Sequence, residues 1–301
     1  MIRPVVSDGD YEAWRQVRLA VLPYERTPSV AELREQTSDK RYFLAERNSI
    51  LMGSDFVGKS DLAGSGSLAA RVLEAHRRQG VGTAILRLLA KQAAEMGFSV
   101  VGSNVDDPGS ARFAELFGFA EVDRQVEQVR TIGDEPMPRV PGGVEIIPVS
   151  ERPELWRAAY HTVGQQAFQD MALTAPLEVT LEQWERDWMT DPDATFLALA
   201  DGEVIGCAGL QPDADNPHRA EHALTSVRRD WRRRGVAAAL KRTTLAWAAA
   251  HGLTEVYTWT QIGNDDMRAL NTHLGFITRT ESLSMQAHLP LANPPAAASP
   301  P

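Results

Sequence analysis

The chain has 301 residues, about twice the length of an ordinary single domain, so two domains are expected. Its composition, 43% hydrophobic and 24% charged with no apolar run near the ~20 residues of a membrane helix, is typical of a globular protein rather than a membrane protein. The N-terminus lacks the features of a signal peptide, and the single cysteine, Cys207, excludes an intrachain disulfide and a cysteine-based metal site. A cytoplasmic protein is therefore expected.

Charge is unevenly distributed along the chain. The net charge of -9 argues against a nucleic-acid partner held by broad electrostatic attraction. Residues 143–221 hold 15 acidic residues against four arginines, whereas residues 228–242 hold seven basic residues against Asp230. An acidic region beside a compact basic cluster suits a cationic substrate that meets an anionic cofactor, and two solvated surfaces are the alternative that charge alone leaves open.

The first half is predicted to begin with helices and to continue with strands. Residues 11–22 place apolar side chains near helical spacing, and a second helix is expected after Ser29, with Glu32 completing a capping box. Residues 42–46 and 50–57 are predicted strands, and a long amphipathic helix is expected after Gly80.

A linker is expected over residues 133–143, which contain three prolines and three glycines without any periodicity. It predicts an N-terminal domain over 1–135 and a C-terminal domain over 143–289. Residues 290–301 are rich in proline and alanine and have few side chains that could pack, so a disordered tail is expected.

The second half repeats the order of helices, strands and a long helix. Helices are predicted over 155–168 and 181–189, the latter capped by Thr180. A hairpin is expected to turn at Asp201-Gly202, and a second long amphipathic helix follows Gly235.

Two segments resemble each other at an interval of 155 residues, which is too long for a solenoid repeat. Gly80 aligns with Gly235, and a helix-ending glycine follows 17 residues later in each copy, at Gly97 and Gly252. Each copy then continues through a strand and a short helix to a Gly-Phe pair. The chain is therefore predicted to contain two copies of one domain.

Each copy carries a basic turn between a strand and its long helix. The two turns comprise Arg77, Arg78, Gln79, Gly80, Val81 and Gly82, and Arg232, Arg233, Arg234, Gly235, Val236, Ala237 and Ala238. A glycine lets the backbone turn tightly, so that N–H groups at the helix start point at an anion, and both the helix dipole and the arginines favour its charge. No Gly-Lys-Ser/Thr follows, which excludes a Walker P-loop. A surface helix cap flanked by arginines is the alternative interpretation.

With these turns, and with Thr225-Ser226-Val227, Asn264, Asn271 and Gly275-Phe276 in the second copy, the chain resembles the GNAT superfamily of acyl-CoA-dependent N-acyltransferases. The resemblance implies an α+β fold of two tandem domains, each a twisted, mixed and mostly antiparallel sheet flanked by helices. It implies acetyl-CoA as co-substrate, no metal, and direct transfer of acetyl to a primary amine of a small, cationic molecule. A monomer that acts as an internal pseudo-dimer, or a homodimer, is expected, without a membrane or nucleic-acid partner.

The resemblance also implies roles for single residues. Val227 and Arg229 would bind the acyl carbonyl and the pantetheine arm, the turn at 232–238 would hold the pyrophosphate, and Asn264 would contact pantetheine. Glu221 precedes Val227 by six residues, an even spacing that predicts the same strand face, and it is the candidate general base.

Two further residues have expected roles at this site. Asn271 stands where the family often has the tyrosine that protonates the leaving thiolate. Because asparagine cannot act as an acid near neutral pH, water is expected to supply that proton. Asp170 lies between two predicted helices and is a candidate to bind the cationic amine, with an ordinary exposed loop acid as the alternative.

The first copy departs further from the family pattern. Gly66, Asp107 and Ala114 stand at the positions that match Glu221, Asn264 and Asn271. Its turn is a second candidate cofactor site, but a half without turnover is expected.

Two other functions remain open at this point. One is a thiol-biosynthesis acetyltransferase of the mycothiol-synthase kind, against which the missing tyrosine weighs. The other is a non-catalytic acyl-CoA-binding or regulatory protein, which two degenerate halves would permit.

Overall fold

The computed structural model describes residues 1–171, 177–189 and 191–293. The strands in chain order are β1 (Ile2–Pro4), β2 (Lys40–Arg47), β3 (Ile50–Lys59), β4 (Gly66–Val72), β5 (Val100–Val105), β6 (Ala120–Thr131), β7 (Glu145–Pro148), β8 (Thr195–Ala200), β9 (Glu203–Pro212), β10 (Arg219–Val227), β11 (Glu255–Gln261) and β12 (Ile277–His288). The α-helices are α1 (Asp8–Val21), α2 (Val30–Glu35), α3 (Val81–Glu95), α4 (Pro108–Leu116), α5 (Leu155–Ala159), α6 (Gln165–Asp170), α7 (Leu181–Asp187), α8 (Val236–Ala250) and α9 (Asp265–His273).

The contacts divide the chain into two units whose last strands are exchanged. One unit is Met1–Arg124 together with the residues from Glu281 onward, and the other is Gln125–Thr280. The sequence instead predicts domains over 1–135 and 143–289, in which the last strand of each half belongs to that half. Of the tail that is expected to be disordered, residues 294–301 lie outside the described residues.

Backbone pairing accounts for this division. From residue 125 onward β6 pairs with β11, so the strand that ends the first half forms the edge of the second unit. Residues 283–288 of β12 pair with β5, so the end of the chain completes the sheet of the first unit. Pairing between strands far apart in sequence leaves no local signal, which is why composition and periodicity do not reveal the exchange.

Each unit has the same strand order and the same mixture of strand directions. The order is β1-β2-β3-β4-β5-β12 in the first unit and β7-β8-β9-β10-β11-β6 in the second. Within the described residues one pair in each unit is parallel, β4 with β5 and β10 with β11, and the other neighbours within a unit are antiparallel. The predicted α+β fold with a mixed, mostly antiparallel sheet in each copy is thereby confirmed.

Alternating side chains of each sheet form two cores. In the first unit Ile85 and Leu89 of α3 are buried against one face, and Trp14 of α1 is buried against the other. In the second unit Val236 and Leu240 of α8 are buried against one face of the sheet. Trp184 of α7 is buried on the other face, with the segment between α5 and α6. The long helices after the basic turns are therefore fixed by apolar packing along their length.

The predicted caps and hairpin are present. Ser29 and Thr180 each form a capping box with the third residue of the helix that follows. Asp201 and Gly202 both have positive φ, 50° and 80°, as a tight two-residue hairpin turn requires.

The helix predicted over 155–168 is interrupted by a π-helical turn at Tyr160–Gly164, between α5 and α6. A Cβ on Gly164 would lie 3.0 Å from the ring of Trp184, so the buried tryptophan presses directly on the helix backbone. The hydroxyl of Ser226 on β10 donates to the carbonyl of Val163 at 2.9 Å, which satisfies a carbonyl of this turn. These long-range contacts explain why helical periodicity alone does not predict the interruption.

Among the described residues, none of the helices combines the length and the apolar character needed to cross a membrane. Over the same residues, no cluster of three or more histidine, cysteine, aspartate or glutamate side chains has the arrangement of a metal site.

Candidate functional site

The basic turn of the second unit presents free backbone donors at the start of α8. Arg233 and Gly235 have φ of 60° and 83°, and Gly235 forms the N-cap of the helix without any side-chain cap. The first N–H groups of a helix have no partner within it, and those of residues 236–238 point out of this end. The turn is braced from inside, because Arg232 Nε donates to the carbonyl of Val227 at 3.0 Å. This arrangement suits an anion such as a pyrophosphate.

The turn of the first unit has the same geometry. Arg78 and Gly80 have φ of 61° and 82°, Gly80 is an N-cap without a side-chain partner, and Arg77 Nε donates to the carbonyl of Val72 at 3.1 Å. The two turns therefore match in backbone conformation as well as in sequence.

The other four arginine and glutamine side chains of the two turns lie at the surface, namely Arg78, Gln79, Arg233 and Arg234. Arg233 is 88% exposed and lies 3.6 Å from Asp266, while the guanidinium of Arg234 stacks on Trp231 with 4.8 Å to the ring centroid. In the first unit Gln79 donates to the carbonyl of Ala75. Arg233 and Arg234 are thus accessible to a ligand at the mouth of the turn.

A cleft begins where β10 separates from β11. The parallel register runs from Arg219↔Glu255 to Glu221↔Tyr257 and stops, although both strands continue. A bulge lies between His222 and Thr225, where the pairing of β10 with β9 shifts by one residue. The same separation occurs in the first unit, where the pairing of β4 with β5 ends at Ser67↔Gly102.

Val227 lies along this cleft with its amide directed into it. Arg228 N–H donates to Ile205 on β9, and successive N–H groups of a strand point to opposite sides. The N–H of Val227 therefore points away from β9, toward the side from which β11 has departed. A ligand carbonyl between the strands would find this donor available.

Glu221 marks the closed end of the cleft and bonds to a neighbour on β11. The hydroxyl of Tyr257 donates to Glu221 Oε2 at 3.2 Å. The expectation that Glu221 and Val227 share a strand face is wrong, because the bulge between them adds a residue and reverses the alternation. Glu221 lies on the face that carries α5 to α7, and Val227 packs with Leu240 of α8 on the opposite face.

Tyr257 is fixed from several sides. Its side chain is fully buried, and the guanidinium of Arg219 lies 4.0 Å from the ring centroid. Arg219 itself binds Glu127 and Glu255, and Arg279 binds the same two carboxylates. This network of ion pairs, in which Glu127 is fully buried, holds the base of the cleft rigid.

Asp170 binds the arginines of the turn. Its carboxylate lies 2.5 Å from Arg229 Nη2 and 2.5 Å from Arg232 Nη2, and the hydrogen bond from Arg229, followed by that from Arg232, holds the pKa of Asp170 below its usual range. Gln166 of the same helix, α6, accepts from the backbone N–H of Arg229 at 3.1 Å. A role of Asp170 in binding a cationic amine stays a prediction, since here its partners are cations of the turn.

The two asparagines have structural contacts. Asn264 caps α9, accepting from Met267 N–H at 3.2 Å. Asn271 is fully buried, and its amide donates to Gln128 on β6 at 2.9 Å and to Thr260 on β11 at 3.3 Å. A contact of Asn264 with pantetheine and a catalytic role of Asn271 remain predictions.

The first unit differs at the base of its cleft. The last parallel pair of β4 and β5 is Ser67↔Gly102, so Ser67 stands where Glu221 stands in the second unit, and the match of Gly66 expected from the sequence is displaced by one residue by the bulge in β10. Gly66 lies one pair earlier, where an added Cβ would be 2.8 Å from the ring of Phe98. Asp107 caps α4, where its carboxylate accepts from the N–H groups of Gly109 and Ser110. Ala114 is buried in the core. A preserved basic turn is thus combined with a cleft that has a serine, and no carboxylate, at its last parallel pair.

Two ionisable residues are buried together behind the cleft, on the α8 face. Lys241 of α8 is 1% exposed, and burial lowers the pKa of its ammonium to about 7. His222 of β10 is equally buried, and both burial and the charge of Lys241 lower the pKa of its ring well below the ordinary value. Burial also raises the pKa of Cys207 to about 12, which makes this thiol unreactive.

Sequence reasoning missed Tyr257, Gln166 and the pair of His222 and Lys241. The signal for Tyr257 was weak but present, because it lies 36 residues after Glu221 on the next strand of the repeat. Only the register of β10 with β11 brings the two side chains together. Gln166 could not be identified from helical periodicity, because the π-helical turn changes which side chains of α6 lie against the basic turn.

Comparison with known proteins gives one family. The model of the acetyltransferase (GNAT) family matches residues 11–119 and 155–276. Curated relatives include the mycothiol acetyltransferases of Saccharomonospora viridis, 28% identical over 217 residues that cover 68% of each chain, and of Kocuria rhizophila, 27% identical over 231 residues that cover 73% of this chain and 75% of the relative.

Solved structures agree on the fold. A tandem GNAT protein from the clavulanic acid biosynthesis pathway, in a structure without AcCoA, superposes with a TM-score of 0.75 at 18% identity, covering 100% of this chain and 99% of its own. A GCN5-related N-acetyltransferase from Sphaerobacter thermophilus superposes with a TM-score of 0.70 at 18% identity, covering 96% and 95%.

Proposed function

Because the chain belongs to the acetyltransferase (GNAT) family, we propose that it transfers the acetyl group of acetyl-CoA to the primary amine of a small, cationic acceptor, with turnover in the second unit. One observation carries the proposal. The uncapped start of α8 lies next to the opening between β10 and β11, at whose closed end stands Glu221. The second unit thus has, in order along the cleft, a site for a phosphate, a channel for an extended arm and the carboxylate of Glu221.

The residues present fit acetyl-CoA. The pyrophosphate would accept hydrogen bonds from the amides of residues 233–238, with Arg232, Arg233 and Arg234 supplying positive charge. The pantetheine arm would run between the strands, and its far end would reach Val227, whose N–H is directed into the cleft. Asn264 has a side-chain amide left for the arm beyond its capping bond.

The chemistry requires one proton acceptor and one polarising donor. Glu221 takes a proton from the acceptor ammonium, directly or through one water. The amine then attacks the thioester carbonyl, whose oxygen is stabilised by the Val227 amide, so that the C–N bond forms and the C–S bond breaks. The nitrogen loses its second proton to water as the C–S bond breaks, and the thiolate leaves and takes a proton from water, which is feasible because a thiol has a pKa of about 8.5.

The charge of the second unit favours a cationic acceptor. Residues 143–221 hold 15 acidic residues against four arginines, and Glu221 ends this acidic stretch. An ammonium group would be attracted to it, and the attraction would be greatest at low ionic strength.

A second candidate function is that of a mycothiol acetyltransferase. Two proteins of that name are relatives over about two thirds of this chain. The buried Asn271, at the position of the expected tyrosine, is the feature that weighs against it.

The test is consumption of acetyl-CoA in the presence of a panel of amines, which includes polyamines, amino sugars, amino acids and the acceptor of the mycothiol acetyltransferases. Transfer to one class with release of free coenzyme supports the proposal and identifies the acceptor. If the protein binds acetyl-CoA tightly but transfers acetyl to none of them, the non-catalytic acyl-CoA-binding function replaces it.

A further inference from the structure

Asp170 is the internal counter-ion of the coenzyme site. Its carboxylate engages both Arg229 and Arg232. Nε of Arg229 adds a contact of 3.3 Å to the second oxygen of Asp170, so this pair is bidentate. The positive charge that would attract a phosphate is therefore partly neutralised from within the chain.

Helix α6 holds the turn by its backbone as well. Gln166 accepts from the amide of Arg229, and Gln169 accepts from its guanidinium at 3.4 Å. Three side chains of one short helix thus occupy donors of the turn. Because the arginines are 52% and 41% exposed and Asp170 is 30% exposed, the contact lies at the surface and is open to exchange.

The first unit provides a comparison within the chain. Arg77 makes the same bond to a strand carbonyl as Arg232 does, at 3.1 Å and 3.0 Å. Among the described residues, Arg77 has no acidic side chain at ion-pair distance. Asp170 is therefore an addition to the second unit and is not needed to form the turn itself.

We propose that the Asp170 carboxylate competes with the coenzyme pyrophosphate for Arg229 and Arg232, so that α6 releases the turn when coenzyme A binds. The inference rests on the proposed function, because it takes the turn as the coenzyme site. The pyrophosphate carries more negative charge than the Asp170 carboxylate and accepts from four or more donors, so it displaces the carboxylate from the two arginines. Because that ion pair must first be broken, the affinity for coenzyme A is lower than it would be without Asp170. The contact between α6 and the turn therefore depends on whether coenzyme A is bound.

The test compares coenzyme A binding to Asp170→Asn and to a charge-matched control. Asp230→Asn removes an acid of the same turn that pairs with Arg228 instead, at 2.8 Å. We expect Asp170→Asn to bind coenzyme A about three- to tenfold more tightly than wild type, the range for losing one or two exposed ion pairs. Asp230→Asn should stay within twofold of wild type. Pantetheine, which lacks the phosphates, should bind all three proteins equally.

Salt dependence gives a readout that a structural role would not change. In wild type, binding exchanges an internal ion pair for pairs with phosphate, whereas in Asp170→Asn new pairs form without a loss. The affinity of Asp170→Asn should therefore fall more steeply between 50 and 300 mM NaCl, a range of roughly a factor of six in ionic strength.

The inference would be overturned if Asp170→Asn bound coenzyme A no more tightly than wild type. Weaker binding would mean that Asp170 orients the arginines for the coenzyme. An equal gain in Asp230→Asn would also overturn it, since the effect would then be one of net charge. If wild type does not bind coenzyme A at all, both the proposed function and this inference fail.

Discussion

Glu221 and Tyr257 face each other at the last paired position of β10 and β11, where backbone hydrogen bonding ends and the cleft begins. A carboxylate at this position is held by the hydroxyl of Tyr257. A hydroxyl donor stabilises the ionised form of a carboxylate, which is the form that accepts a proton. The hydroxyl therefore orients the carboxylate and keeps it in the ionised form.

Replacement of Glu221 tests the proton acceptor. Glu221→Gln should keep the affinity for coenzyme A and lower kcat by roughly 100-fold, the lower range for a lost general base. Steady-state kinetics from pH 6 to 9 measure this, with Glu203→Gln, an exposed strand residue, as control. A wild-type rate across that range would mean that the proton leaves by another route.

Removal of one oxygen atom tests the role of Tyr257. Tyr257→Phe keeps the ring under Arg219 but deletes the donor to Glu221, which should destabilise the ionised form of the proposed base. The acidic limb of the kcat/KM profile should move up by about one pH unit, given the strength of a hydrogen bond to a charged group. Tyr160→Phe, which loses a hydroxyl bonded to a carbonyl, is the control. An unshifted profile would exclude this role.

Single residues also show what could be foreseen from the sequence. The turn residues follow local order along the chain, and the structure contains the turn that they predict. The role of Glu221 came from the family resemblance and stays a prediction. Spacing from the turn was not enough for Tyr257, or for the face on which Glu221 lies. Both depend on strand register and on the bulge of β10, which are set by pairing between distant segments.

Among the elements, the turn with α8 is the part that the sequence predicted most completely. A glycine preceded by arginines and followed by an amphipathic pattern specifies the turn and the helix together, and the structure contains both. The packing of α8 on the sheet then fixes where its free amides point. The interrupted helix between α5 and α6 was not foreseen, since it depends on Trp184 and Ser226.

The backbone of the turn can be disturbed without filling space. Gly235→Val places a β-branched residue at a φ of 83°, although the nearest atom to an added Cβ is 3.8 Å away. The turn should relax to another conformation and weaken coenzyme A binding by roughly tenfold or more, since such strain costs about 1–3 kcal/mol. Calorimetry measures the affinity.

The matched control lies at the other end of the same helix. Gly252 also has positive φ, 75°, and open space around it, so Gly252→Val imposes similar strain away from the turn. It should lower stability but leave coenzyme affinity within twofold. Equal loss of affinity in both variants would show that the effect comes from general destabilisation.

Burial of Lys241 in α8 predicts how the stability of the second unit depends on pH. Its pKa is about 7 in the folded protein and 10.5 ordinarily, so between these values the unfolded chain binds more protons than the folded one. Stability therefore rises with pH in this window, by roughly 2 kcal/mol between pH 7 and 9. Lys241→Met should abolish this rise and be more stable than wild type at pH 7.

Urea unfolding at the two pH values measures this effect. Arg242→Met, which removes the neighbouring exposed cation, should keep the wild-type pH dependence. The assignment would be contradicted if Lys241→Met showed the same increase in stability with pH as wild type.

At the scale of the whole molecule, two copies of one fold have diverged in their sites. Both units keep the strand order, the separated parallel pair and the basic turn. Only the second has a carboxylate at the closed end of its cleft, where the last parallel pair is Glu221↔Tyr257, whereas the last pair in the first is Ser67↔Gly102. The duplication was evident from the sequence as a 155-residue repeat, but the exchange of last strands was not, because it is a property of pairing.

This divergence predicts that one coenzyme site per chain has high affinity. In the first unit Asp107, at the start of α4, adds negative charge near Arg77. A pyrophosphate would meet a suitable turn there, but the negative charge of Asp107 would disfavour its binding.

The most direct test is the stoichiometry of acetyl-CoA binding, measured by calorimetry on wild type, Gly80→Val and Gly235→Val. Acetyl transfer is assayed on the same samples. We predict one site per chain, retained with full activity in Gly80→Val and lost together with activity in Gly235→Val. Two sites of similar affinity, with activity abolished by Gly80→Val, would contradict the assignment of turnover to the second unit.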